Sequence, residues 1–304
     1  MTLTLPANFI HTTLDLFGAE GQAWLDSFPE FITGLERDWA ITVLEPFSLS
    51  YNFVAEAVRA DGSEAVLKTW LINPELISEM EALQLWDGRG IVRLLECDPA
   101  RGAMLLERLS PGEVLAELND DEQATCIAAE VMAKLWIPAP LDPEGKLRYA
   151  SDWARGLERL RAEFSGGTGS FPPHLVEAAE RLFGELLASA GPQKLLHGDL
   201  HHWNILTAER QPWLALDPKG LVGEAEYEIG ALLRNKFPQG SPGETARFTA
   251  RRLDILSEML GLDRPRMVGW AMAQAVLSAW WTYEDHHRGD EEMLYLAQVL
   301  LEMV

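Results

Sequence analysis

The chain has 304 residues, 47% of them hydrophobic, which is enough for one large or two ordinary domains with a substantial core. Its 25 Lys and Arg against 47 Asp and Glu give a formal net charge of −22, which argues against a nucleic-acid ligand. Any site that binds an anion must therefore depend on a few basic residues placed locally. Cys97 and Cys126 match no disulfide framework or metal spacing, and neither a membrane-spanning apolar run nor a signal peptide is evident, so we expect a reduced, cytoplasmic protein.

The chain begins with helical patterns and then changes character twice. Residues 12–35 carry apolar side chains at helical spacing, with interruptions expected at Gly18 and Pro29. Residues 40–109 are rich in β patterns with one helix, and the pattern becomes helical from Glu113 onward. The later helices are predicted over 122–136, 153–164, 175–190, 244–260, 267–284 and 291–304.

A β-hairpin with a lysine at its end is the first feature that indicates chemistry. Phe53–Val58 and Glu64–Lys68 flank an Asp61-Gly62 turn, which is a hairpin signal. The segment Ala65-Val66-Leu67-Lys68 resembles the strand that carries the phosphate-binding lysine of kinases, so Lys68 is predicted to contact the α- and β-phosphates of ATP. A lysine at the end of a strand is also common as a solvated edge residue.

The loop before this hairpin lacks the glycine-rich pattern of protein kinases. It contains Ser48 and Ser50 within Pro46–Asn52. Hydroxyl groups and successive backbone N–H groups there can bind phosphate oxygens, so both serines are candidate nucleotide ligands. The alternative is a polar hairpin tip without a ligand.

The helix after the hairpin is expected to supply a carboxylate for Lys68. It starts near Asn73-Pro74, with proline at a favoured first-turn position, and runs to Trp86. We predict Glu81 rather than Glu79 as the partner, because Glu81 directly precedes the apolar stripe of the helix. Either glutamate is alternatively a solvated helix residue.

An apolar strand ending in a Pro-Gly break follows, at Met104–Leu109. In a kinase the chain crosses between the two lobes at this point. Backbone groups near Glu107 and Leu109 are therefore predicted to contact adenine. The alternative is an ordinary strand and turn, which would have the same sequence pattern.

The most informative motif is His197-Gly198-Asp199-Leu200-His201-His202-Trp203-Asn204, which fits H-x-D-L-x-x-x-N, with a second Asp thirteen residues later at Asp217. Phosphoryl transfer needs a carboxylate near the acceptor hydroxyl and oxygen ligands for Mg²⁺. The pattern predicts Asp199 for the first role and Asn204 with Asp217 for the second. The alternative is a polar turn with local hydrogen bonds.

Two rival interpretations of this region have less support. The histidines His197, His201 and His202 suggest zinc, but Gly198 argues against a helix and no Glu follows His197 as in H-E-x-x-H. A protein kinase would need a long activation loop, and only eleven residues separate Asp217 from Ile229, where the next helix is already under way.

The end of a C-terminal helix, Ser278–His287, is predicted to line the acceptor pocket. It places Trp281, Glu284 and Asp285 together, and a cationic acceptor would be favoured by carboxylates and aromatic faces. Core tryptophans with a solvated charged tip are the plain alternative, and the acidity of the whole chain serves solubility equally well.

Taken together, these motifs resemble the aminoglycoside/hydroxyurea phosphotransferases, a family with a kinase fold. The resemblance is carried by His197–Leu206, Leu216–Glu224, Leu233–Asn235, Ser48–Ser50, Asp61–Lys68, Trp86–Leu95 and Leu106–Leu109. It implies Asp199 as the catalytic base, Asn204 and Asp217 as Mg²⁺ ligands and Lys68 as the phosphate lysine. One departure is Tyr227-Glu228, where the family is expected to have an aromatic residue followed by Asp.

We therefore predict an α+β, two-lobed protein-kinase-like fold, with a β-rich N-terminal lobe at residues 1–109 and a helical C-terminal lobe at 110–304. The expected function is ATP- and Mg²⁺-dependent phosphorylation of a small cationic acceptor, first an aminoglycoside of the streptomycin type. The alternatives are hydroxyurea, another hydroxylated metabolite, or a nucleotide-binding module without catalysis. No membrane or nucleic-acid partner is expected, and the sequence predicts no oligomeric state.

Overall fold

The computed structural model describes residues 5–49 and 51–304, so the predicted phosphate-loop residue Ser50 lies outside the described residues. The chain divides into two compact units, Met1–Leu109 and Ser110–Val304. Within the described ranges, no helix combines the length and the apolar character that crossing a bilayer requires.

The N-terminal unit is built on a five-stranded antiparallel sheet in the order β1-β2-β3-β5-β4. Its strands are β1 Ile41–Pro46, β2 Phe53–Arg59, β3 Glu64–Thr69, β4 Leu94–Asp98 and β5 Ala103–Glu107. Burial alternates along β2, where Phe53, Ala55 and Ala57 are buried, as expected for a strand with one face on the core. The predicted hairpin is confirmed, with Val54 opposite Lys68.

Helix α1 (Ala7–Trp39) packs aromatic side chains onto this unit. The interruption expected at Gly18 is present, with φ 52° and ψ −122°, but the one expected at Pro29 is wrong because the helix continues through it. Buried Phe28 and Leu35 lie on either side of Pro29, and Phe28 packs edge-on against Phe53 with ring centroids 4.8 Å apart. Tertiary packing here outweighs the local preference of proline.

Helix α2 (Pro74–Trp86) begins where the sequence predicts. The Asn73 side chain accepts hydrogen bonds from the backbone N–H groups of Glu75 and Leu76, both at 3.0 Å. This cap satisfies two of the N–H donors that a helix start leaves without an internal partner.

The C-terminal unit is mainly helical. Its helices are α3 Asp121–Leu135, α4 Ala150–Glu163, α5 Pro173–Ala188, α6 Ala225–Arg234, α7 Pro242–Leu260, α8 Arg264–His286 and α9 Glu291–Leu301. Helix α8 is buried over most of its first two thirds and contacts α5, α6 and α9, so the core of this unit surrounds it.

Two small sheets in the C-terminal unit hold the loop that carries the kinase-like motif. Their orders are β11-β10-β6 and β7-β9-β12-β8. The strands are β6 Pro111–Val114, β7 Ile137–Pro138, β8 Arg148–Tyr149, β9 Lys194–Leu196, β10 Ile205–Ala208, β11 Trp213–Ala215 and β12 Leu221–Gly223. The predicted α+β class is confirmed.

Candidate active site

The motif loop joins strand β9 to strand β10. Leu195, Leu196 and Ile205 are fully buried, so the strands on both sides anchor the loop in the core. Gly198 has φ +85°, and a Cβ added there would lie 3.0 Å from the Cβ of Leu221. The glycine of the motif is therefore required both by its backbone conformation and by close packing.

His197 fixes the backbone beside Asp199 from inside the loop. Its Nε2 donates a hydrogen bond to the Leu216 carbonyl at 2.9 Å, and its Nδ1 accepts one from the Asp199 N–H at 3.2 Å. Burial lowers the pKa of His197 to about 4, which keeps the imidazole neutral and matches a tautomer with its proton on Nε2. The histidine thus ties Asp199 to the residue that precedes Asp217.

Glu228, on α6, supports the same loop from outside. Its carboxylate accepts hydrogen bonds from the N–H groups of His197 at 2.7 Å and Gly198 at 2.9 Å. Burial raises the pKa of Glu228 to about 7, against the lowering effect of these two bonds. The departure from the family's expected Asp therefore keeps a carboxylate on the loop backbone, a role that the sequence analysis did not assign to Glu228.

Within the described part of the chain, two cationic or titratable side chains lie close to the Asp199 carboxylate. The Arg234 guanidinium is 3.5 Å from Oδ1, and His201 Nε2 is 3.7 Å from Oδ2. The Arg234 side chain is only 7% exposed, whereas that of Asp199 is 30% exposed. Arg234 was not among the predicted site residues, and its presence in the family-like Leu233-Arg234-Asn235 segment was the one signal available for it.

Asn204 and Asp217, the predicted metal ligands, lie on adjacent segments. The Leu216 N–H donates to the Asn204 carbonyl at 3.0 Å, next to the β10–β11 pairing of Ile205 with Ala215. The Asn204 amide nitrogen donates to the Asp199 carbonyl at 3.0 Å, which leaves the amide oxygen as the atom suited to a cation. A carboxylate and an amide oxygen fit Mg²⁺, a hard cation that takes oxygen ligands.

The histidines do not form a zinc site. His197 is engaged by the Leu216 carbonyl, and His202 Nε2 faces Arg252 at 3.3 Å. Across residues 5–49 and 51–304, no group of three or more His, Cys, Asp or Glu side chains is arranged to hold a metal ion.

In the N-terminal unit, Lys68 pairs with Glu79 and not with Glu81. The Lys68 ammonium is 2.6 and 2.8 Å from the two carboxylate oxygens of Glu79, and both residues are buried. Glu79 lies three residues after buried Leu76 and four before buried Leu83, on the face of α2 that packs inward. Glu81 is two residues further, about 200° around the helix, so the prediction of Glu81 as the partner is wrong in register.

The other residues predicted to bind the nucleotide are Ser48, Glu107 and Leu109, and they have different surroundings. Ser48 is exposed, in the loop between β1 and β2. The Glu107 N–H donates to the Arg93 carbonyl at 2.9 Å and its carboxylate accepts from the Arg93 N–H at 3.0 Å. Backbone groups near Glu107 and buried Leu109 stay the predicted contacts with adenine.

The predicted acceptor residues at the end of α8 have different surroundings. Glu284 forms a bidentate ion pair with Arg159 of α4, at 2.5 and 2.9 Å, so its charge is already matched. Trp281 is half-buried and packs edge-on against Trp153, with ring centroids 5.3 Å apart. Asp285 is exposed.

This fold is that of kinase-like phosphotransferases. The structure of a choline kinase from Streptococcus pneumoniae superposes with a TM-score of 0.61 at 14% identity, over 90% of this chain and 98% of that chain. The predicted kinase-like fold is therefore confirmed.

The family follows from the sequence comparisons. A family model for aminoglycoside/hydroxyurea antibiotic resistance kinases matches residues 42–286, and the chain belongs to that family. Streptomycin 6-kinase of Streptomyces glaucescens is 35% identical over 289 residues, which cover 93% of this chain and 92% of that protein. Hydroxyurea phosphotransferase of Kitasatospora aureofaciens is 35% identical over 309 aligned positions, covering 98% and 86%. The protein is a small-molecule kinase of an ATP-using family, as the resemblance implied.

Proposed function

We propose that this enzyme transfers the γ-phosphate of ATP to a hydroxyl group of an aminoglycoside of the streptomycin type. The observation that carries the reaction is the Asp199 loop, whose backbone is held by Glu228, His197 and Asn204 while the carboxylate stays partly exposed. A group that receives a proton from an acceptor must be both positioned and accessible.

We assign each residue of the proposed site a role in this reaction. Asp199 orients the acceptor hydroxyl and takes its proton, while Lys68, fixed by Glu79, binds the α- and β-phosphates. Asn204 and Asp217 would hold Mg²⁺, which supplies compensation for the phosphate charge when bound. The backbone of Leu109 and the carbonyl of Glu107 would bind adenine, and Ser48 and Ser50 the phosphates.

The acceptor is inferred from charge and from the relatives. Streptomycin carries guanidinium groups, and a chain with net charge −22 attracts cations over distances of about a Debye length, ~10 Å at 0.1 M salt. We assign the contact with a cationic acceptor to Trp281, Glu284 and Asp285, and the Glu284 contact requires Arg159 to move, because Arg159 pairs with that carboxylate.

Hydroxyurea is the second candidate acceptor. The hydroxyurea phosphotransferase matches this chain at the same 35% identity as the streptomycin 6-kinase. The two candidates differ in charge, since hydroxyurea is neutral, and therefore in the salt dependence expected of the acceptor step.

The test is ADP release by purified enzyme with Mg-ATP and no acceptor, streptomycin or hydroxyurea. We expect streptomycin to stimulate release, with a KM that rises with added salt, and no release when Mg²⁺ is omitted. Stimulation by hydroxyurea alone would replace the acceptor assignment. Stimulation by neither, together with no activity toward a panel of hydroxylated metabolites, would contradict the proposed function.

A further inference from the structure

A buried arginine lies behind the motif loop. Arg252, on α7, is 1% exposed, although arginine is rarely buried without partners. Its guanidinium pairs with Asp121 at the start of α3, with Nε 3.0 Å and Nη2 2.5 Å from Oδ1. The pair therefore joins two helices that contain none of the predicted catalytic residues.

The same guanidinium binds the C-terminal end of α6. Nη1 donates to the carbonyls of Leu232 at 3.1 Å and Asn235 at 2.9 Å, and Nη2 donates to the carbonyl of Lys236 at 2.9 Å. The last carbonyls of a helix have no internal partner and favour a positive charge. Arg234, whose side chain is 3.5 Å from the Asp199 carboxylate, lies within this capped segment.

Arg252 also contacts the motif loop itself. Its Nη2 is 3.3 Å from Nε2 of His202, which lies between Asp199 and Asn204 in the chain. A guanidinium has N–H donors and no acceptor, so Nε2 of His202 is the acceptor in this contact.

We propose that Arg252, paired with Asp121, is a positioning residue that sets the orientation of Asp199 by holding both His202 and the end of α6 that carries Arg234. This inference rests on the proposed function, because it takes Asp199 as the base. A lysine could not replace the arginine, since one ammonium cannot reach a carboxylate, three carbonyls and an imidazole that the planar guanidinium bonds at once.

The test compares Arg252→Lys with Arg161→Lys. Arg161 forms a bidentate pair with Glu180, at 2.7 Å for both bonds, between α4 and α5, two helices that contain none of the predicted catalytic residues. We expect Arg252→Lys to lower kcat about 10–100-fold, as small misplacements of reacting groups do, with an unchanged KM for ATP. Arg161→Lys should lower the melting temperature but leave kcat unchanged.

A double-mutant cycle separates positioning from loss of stability. Arg252→Lys and Arg234→Lys should be non-additive in kcat, because both act on Asp199 through one segment, whereas Arg161→Lys and Arg234→Lys should be additive. If Arg252→Lys does not fold, Asp121→Asn, which removes the partner charge, should show the same pattern. Wild-type kcat in the Arg252 variant, or an additive cycle, would overturn the inference.

The same variants distinguish failure of the positioning role of Arg252 from failure of the proposed function. If Asp199→Asn abolishes turnover while Arg252→Lys and Asp121→Asn leave it intact, the positioning role is wrong and the proposed function stands. If Asp199→Asn retains near-normal turnover, the proposed function itself fails.

Discussion

The two charged centres of this kinase are held in opposite ways. In the N-terminal unit, Lys68 and Glu79 fix each other directly, by two short contacts between buried side chains. In the C-terminal unit, the Asp199 carboxylate lies 3.5 Å from Arg234 and 3.7 Å from His201, while its backbone is bonded by His197 and Asn204. Under the proposed function, a fixed charge suits Lys68, which would bind phosphate, whereas a fixed backbone suits Asp199, whose carboxylate would accept a proton.

The largest expected effect is at Asp199. Replacing it with Asn keeps the size of the side chain and removes the proton acceptor, so kcat should fall by ~10²–10⁴, the usual contribution of a general base. ATP binding should persist, because the supporting backbone bonds come from other residues. Steady-state kinetics and isothermal titration with ATP measure the two quantities, and turnover close to wild type would exclude Asp199 as the base.

The next effect is at the directly paired centre. Glu79→Gln removes the carboxylate that lies 2.6 and 2.8 Å from the buried Lys68 ammonium, and it should destabilise the protein by about 3–5 kcal/mol, with a lower kcat. Glu81→Gln is the matched control on the same helix, and we expect it to change the free energy of unfolding by less than about 1 kcal/mol. Urea unfolding of both variants measures the difference.

A reversed order of these two variants would contradict the observed pairing. Equal losses of stability would mean that Lys68 does not depend on one glutamate. Either result would remove the contrast between the two centres.

The smallest expected effect is on the pH dependence of the free energy of unfolding, to which His197 and Glu228 of the Asp199 centre contribute. His197 has a folded pKa of about 4, below its usual ~6.5, so its contribution to stability is present above pH ~6.5 and lost as the pH falls through about 4. Glu228, with a folded pKa of about 7, has the opposite sign, and its contribution is lost as the pH rises through about 7. Glu228→Gln should therefore steepen the loss of stability on acidification between pH 6.5 and 4.5.

The size of this change is bounded by one proton, about 1.4 kcal/mol per pH unit. Unfolding free energies of wild type, Glu228→Gln and the exposed-residue control Glu258→Gln at three pH values give the slopes. An unchanged slope in Glu228→Gln would mean that the carboxyl titrates alike in the folded and unfolded chains.

Contacts made within a short stretch of chain were predictable from the sequence, and those set by tertiary packing were not. The hairpin and the start of α2 near Asn73-Pro74 depend on neighbouring residues, and they were predicted. The choice between Glu79 and Glu81 depends on which face of α2 turns inward.

The supporting residues of the motif loop were missed for a related reason. Glu228 accepts hydrogen bonds from residues 30 and 31 positions earlier, and Arg252 pairs with Asp121 across 131 positions. No local sequence pattern therefore predicts either contact. The same applies to Glu284, whose charge is matched by Arg159, 125 positions away. Sequence motifs therefore predict which side chains form the centre, but they do not predict which residues hold those side chains in place.

Helix α6 has only ten residues, yet it carries both Glu228 and Arg234. Glu228, in the first half of the helix, accepts a hydrogen bond from the loop backbone, and Arg234, at its last position, lies beside the Asp199 carboxylate. The positions of Glu228 and Arg234 are therefore coupled, because a rigid shift of α6 moves both residues together and preserves the spacing between them. Inserting a single residue between them would instead rotate one relative to the other by about 100°, so the length of this helix is itself a constraint on the active site.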